Sequence, residues 1–80
     1  MGFSTLPKAR GRDHVEAFKS LGWRERKRKS GSHIILTNPS VPGAILSIPD
    51  HKEVSLGTLR QLVRVAGLDD EEYRNAFDNR

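Results

Sequence analysis

Gly31-Ser32-His33 sets an imidazole between a run of charges, Arg24-Glu25-Arg26-Lys27-Arg28-Lys29, and the apolar residues Ile34-Ile35-Leu36. Imidazole is the side chain that gives or takes a proton near neutral pH, and clustered lysine and arginine bind polyanions. Together they point to chemistry on a phosphodiester. RNA is the natural substrate because its 2′-OH is a built-in nucleophile. Cleavage then needs a base for that hydroxyl, an acid for the departing 5′-oxygen and cations to hold the phosphate. His33 fits either proton-transfer role, and Arg24, Arg26, Lys27, Arg28 and Lys29 fit the last. Acid–base help of this kind is worth about 10²–10⁴ in rate, so so small a site predicts a modest ribonuclease.

The other candidates carry less. His14 precedes Val15 in a helical pattern and is expected to be a half-exposed helix residue. His51 lies in the polar link Pro49-Asp50-His51-Lys52-Glu53, either as a loop or capping histidine or as an auxiliary to the site. Ser32 is a weak nucleophile candidate, because neighbouring strand residues point to opposite faces and its side chain is expected to lie apart from that of His33. The three histidines lack zinc-site spacing and the chain has no cysteine, so neither a metal site nor any other cofactor is expected.

The elements that must position these groups follow from periodicity. Val15, Phe18 and Leu21 with Ala17 mark a helix over 12–21, closed by Gly22. Trp23–Lys29 reads as an edge strand whose charges discourage aggregation, and Ser30-Gly31 as the turn after it. Ser32–Thr37 is the clearest strand, with His33, Ile35 and Thr37 on one face and Ile34 with Leu36 on the other. Asn38–Gly43 is a turn-rich loop and Ala44–Ile48 a third strand. Leu56, Leu59, Leu62, Val63 and Ala66 form the buried stripe of a helix starting near Ser55, or one turn later if Thr58 and Gln61 form the capping box. Asp69 and Glu72 have capping-box spacing ahead of a short helix bearing Tyr73, Ala76 and Phe77.

The order α-β-β-β-α with a short C-terminal helix predicts an α+β fold. Two layers are expected: a three-stranded antiparallel meander, and helices covering one of its faces, as in double-stranded-RNA-binding domains. Eighty residues allow one small core. Residues 1–11, with Gly2, Pro7 and Gly11, are expected to be a flexible lead and 12–80 the single domain. No apolar run approaches the ~20 residues of a membrane span, so a cytoplasmic protein without membrane contact is expected. Charge is uneven: residues 1–68 hold 12 Lys and Arg against five Asp and Glu, while residues 69–80 hold two against five. A basic body with an acidic tail suits nucleic acid or an acidic protein partner.

Five short motifs occur in order: Leu21-Gly22-Trp23, Gly31-Ser32-His33, Pro49-x-His51-x-Glu53, Gly57-Thr58-Leu59-Arg60 and Ala66-Gly67-Leu68. In this the chain resembles the HicA toxins, mRNA interferases of type II toxin–antitoxin pairs, over about Leu6 to Phe77. The resemblance implies a double-stranded-RNA-binding-like fold, catalysis by His33 on mRNA, and a HicB-type antitoxin that blocks the site. Gly31 and Ser32 match as residues shaping the start of the strand, and His51 matches a recurring position. The chain departs from the family where Arg24–Lys29 lacks apolar alternation and where Asn38–Gly43 lacks an Asp-Gly turn. The acidic tail with Tyr73 and Phe77 is expected to pack on the body, to help receive the antitoxin, or to be a plain solvated capping helix. From another class, the alternative is a noncatalytic RNA-binding module using the same basic face. A third is an adaptor that meets an acidic protein.

Overall fold

A computed structural model describes residues 6–27 and 31–80. Along the chain run α1 (Gly11–Ser20), β1 (Arg24–Arg26), β2 (His33–Thr37), β3 (Ile45–Pro49), α2 (Leu56–Val65) and α3 (Asp70–Asp78). The strands form one antiparallel sheet in the order β1-β2-β3. The expected α+β class and element order are both present.

Each helix has a local reason to start or stop. Past the end of α1, the Trp23 and Gly22 amides donate to the Phe18 and Lys19 carbonyls at 3.2 and 3.1 Å. That pair of bonds requires a left-handed residue after the helix, and Gly22 supplies it with φ of 99°. The Phe18 and Trp23 rings then meet edge-on with centroids 6.3 Å apart. α2 ends in the same way, with Leu68 and Gly67 donating to Val63 and Arg64. It begins at Ser55, whose hydroxyl accepts from the Thr58 amide at 3.3 Å, so the earlier of the two expected starts is the one adopted. α3 opens with the reciprocal capping box: Glu72 N–H to Asp69 Oδ1 at 2.7 Å and Asp69 N–H to Glu72 Oε1 at 2.9 Å.

The alternation of β2 and β3 divides the sheet. Ile34, Leu36, Leu46 and Ile48 are fully buried beneath the helices, with Phe18, Leu59, Val63 and Tyr73. Each such side chain contributes about 1.5–3 kcal/mol by leaving water. Leu6 joins the same core at 2% exposure, and the Ala9 carbonyl accepts from the Val54 amide at 3.0 Å.

Three strand boundaries and one histidine differ from expectation. β1 covers Arg24–Arg26, because the Trp23 amide is spent on closing α1; the expected continuation through Arg28 and Lys29 lies outside the described residues, as does Ser30. β2 begins at His33, leaving Ser32 in the preceding turn. β3 is shifted by one residue to end at Pro49, opposite His33, a place an edge strand tolerates proline. His14, expected to be half exposed, has 0% exposure. The covering element is α3, which packs along α1 and brings Tyr73 and Phe77 against the imidazole, with ring centroids at 5.9 and 5.4 Å. Among the described residues no helix is long and apolar enough to cross a membrane.

Candidate active site

His33 is the first residue of β2, on the face of the sheet away from the helices and exposed to solvent. Its neighbours on that face follow from register. Arg24 lies opposite Thr37 and Arg26 opposite Ile35. Residues directly opposite in an antiparallel pair project to the same side, so both guanidinium groups share the open face with His33, Ile35 and Thr37. Glu25, opposite Leu36, projects to the helix side instead, where it meets Arg12 at 3.3 Å. A stretch that looks uniformly charged therefore sorts by alternation into two cations facing outward and one carboxylate bound to a helix. Lys27 follows the strand and is exposed. Arg28 and Lys29, expected to bind RNA as well, lie outside the described residues.

Ser32 Oγ lies 3.1 Å from His33 Nδ1. The sequence-based expectation that their side chains are kept apart is corrected here, because Ser32 belongs to the turn and the two-residue alternation begins only at His33. The contact engages Nδ1 and leaves Nε2 without a hydrogen-bond partner among the described residues. Gly31 has no left-handed φ, and a methyl group there would meet nothing within 4 Å. Its backbone geometry therefore does not require glycine.

His51 is exposed on the link between β3 and α2 and lines an open cleft with Arg10, Arg12, Asp50 and Lys52. Three backbone features lock this cleft to the His33 end of the sheet. His33 pairs with Pro49, the Asp50 amide donates to the Ser32 carbonyl at 2.9 Å, and the Gly11 amide donates to the His51 carbonyl at 3.0 Å. Gly11 approaches so closely that a Cβ there would collide with the Pro49 carbonyl. Sequence reasoning singled out His51 but not Arg10, Arg12 or Lys52. These become neighbours only when α1 docks on the β3–α2 link.

Ion pairing separates the cations. Arg12 is held by Glu25, Arg60 by Asp70 at 3.9 Å, and Arg80 by Asp13 at 3.5 Å. Among the described residues no carboxylate pairs with Arg24, Arg26, Arg10 or Lys52. The remaining histidine has no access to a substrate. His14 Nδ1 is 2.6 Å from the Tyr73 hydroxyl, and its buried Nε2 has no partner among the described residues. Burial pulls the His14 pKa down to about 4, against a smaller upward pull from Asp13 and with a smaller downward push from Arg80. Burial likewise raises the Tyr73 phenol above its usual range. This pair is neutral at pH 7 and structural.

No curated protein matches the chain. The family model described as the HicA toxin of bacterial toxin–antitoxin matches residues 11–68. That span contains the sheet, its open face with His33, the two longer helices and every residue lining the cleft except Arg10, and leaves out α3. The chain therefore belongs to the HicA toxin family, the toxins of toxin–antitoxin systems.

Proposed function

We propose that this toxin is an endoribonuclease that cleaves mRNA with His33 as its proton-transfer group, and that a HicB-type antitoxin neutralises it by covering the open face of the sheet. Family membership supports the activity, since HicA toxins are mRNA-cleaving ribonucleases. The observation that carries the residue assignment is the exposed His33 sharing a face with Arg24 and Arg26, which no carboxylate neutralises among the described residues.

The chemistry asks for little more. Arg24 and Arg26, with Lys27 beside them and Arg28 and Lys29 as further cations, hold the phosphodiester and offset the charge that builds on its oxygens as the 2′-oxygen attacks phosphorus. The bond to the 5′-oxygen breaks, leaving a 2′,3′-cyclic phosphate and a 5′-hydroxyl. Two protons move, one from the 2′-OH and one to the leaving oxygen. His33 Nε2 carries one and water the other. Ser32, through Nδ1, fixes the ring orientation and acts as a positioning residue. Ile35, Thr37 and the exposed Ile45 give the face apolar surface for a base or for the antitoxin. His51 serves the RNA surface and stands outside the proton transfer.

The test compares RNA with its 2′-O-methyl analogue. The chain is expected to cut the first to cyclic-phosphate ends and to bind the second without cutting it. Binding of both with cleavage of neither would make the protein the noncatalytic RNA-binding module instead.

A further inference from the structure

The cleft formed where α1 meets the β3–α2 link has a composition that the cleavage chemistry leaves unused. It is an open depression of about 590 Å3 lined by Arg10, Arg12, His51, Lys52 and one carboxylate, Asp50, within the usual size of ligand sites, ~300–1,000 Å3. Arg10, Lys52 and His51 are all exposed. Arg12 is turned partly toward Glu25, but Arg10 and Lys52 have no carboxylate partner among the described residues. Such unpaired cations in a concavity attract an anion, and a curved wall concentrates their field.

The place matters as much as the charge. The Ser32 carbonyl, one residue before the proposed catalytic histidine, is hydrogen-bonded to the Asp50 amide. Asp50 thus lies one strand spacing, ~4.8 Å, from the chain just ahead of β2, and His51 follows it. A single strand of RNA laid over Arg24, Arg26 and His33 must leave the sheet at an end, and at the His33 end the link that lines this cleft begins directly after Pro49, the partner of His33.

We propose that the Arg10–Arg12–His51–Lys52 cleft is a second phosphate-binding site, which takes a backbone phosphate of the RNA flanking the scissile bond and so sets the path of the strand past His33. This rests on the chain being an RNA binder, but not on its cutting RNA. It gives His51 an anion-contacting role. It also gives the close approach of Gly11 to Pro49 a purpose, since that contact brings Arg10 and Arg12 to the link.

The experiment measures affinity for a 2′-O-methyl oligonucleotide as a function of salt, for the full chain and for the double variant Arg10→Ala/Lys52→Ala. Both side chains are exposed, and Arg10 makes no side-chain cap to α1, so the fold should persist. The expected result is roughly five- to tenfold weaker binding near 0.1 M salt and a salt slope reduced by roughly one to one and a half, as loss of two phosphate contacts on a single strand requires. Arg64→Ala, which removes an exposed cation from α2, should leave both unchanged. Inorganic pyrophosphate should also shift the ring resonances of His51 in the wild-type chain. An unchanged slope in the double variant, or equal losses in Arg64→Ala, overturns the site. So does binding of poly-glutamate that the double variant loses while RNA binding stays intact. If the chain cuts RNA while the slope is unchanged, this site fails and the ribonuclease stands. If the slope falls but no RNA is cut, the ribonuclease fails and this site stands.

Discussion

His14 and His33 carry the same imidazole into opposite surroundings. His33 begins a strand on an open face and is exposed to solvent, whereas His14 is sealed by α3 and kept neutral by desolvation. The His14 environment has a thermodynamic consequence. Its folded pKa of about 4 lies below the unfolded value of 6.5, so between those values the unfolded chain binds a proton that the native chain refuses. The contribution is fully present above about pH 6.5 and is lost as pH falls toward 4, amounting to about 3 kcal/mol. His14→Leu should therefore flatten the decline of thermal stability between pH 6.5 and 4; a decline as steep as in the wild type would remove His14 as its source. Neither the burial of His14 nor its partner was legible in the sequence. The helix period puts it next to Val15, but Tyr73 arrives from the far end of the chain.

At the scale of elements, the local signals were mostly sufficient. Gly22 and Gly67 stop their helices, Ser55 and Asp69 start theirs, and the alternation of Ile34, Leu36, Leu46 and Ile48 defines which face of the sheet is buried. What failed were strand boundaries: the Trp23 amide is taken out of β1 by the end of α1, and Ser32 stays in the turn with its hydroxyl at His33. α3 is the least expected element in its importance. It lies beyond the family match, yet Tyr73 is fully buried with its ring centroid 4.7 Å from that of Phe18. Packing of the tail on the body, one of the roles foreseen for it, is seen in the contacts of α3 with α1. Tyr73→Ala should cost about 3–5 kcal/mol by leaving a cavity and an unpartnered His14, measured by denaturant unfolding. A loss below about 1 kcal/mol would show α3 to be a solvated appendage.

For the whole molecule, the acidic tail and the basic body divide the surface. The tail's carboxylates hold Arg60 on α2 and Arg74 on α3, while Arg24, Arg26, Arg10 and Lys52 stay unneutralised among the described residues. These four cations of a chain with net charge +4 lie on the open face of the sheet and in the cleft at its His33 end. The basic run and the histidine were visible in the sequence as neighbours. Their sharing of one face depends on the register of β1 against β2, and the cleft depends on the docking of α1. The most direct measurement of the central claim is single-turnover cleavage of RNA by His33→Ala, with RNA affinity measured alongside. Cleavage should fall about 10²–10⁴-fold while affinity stays within about threefold, because the arginines that hold the phosphate remain. Undiminished cleavage by His33→Ala would contradict the account.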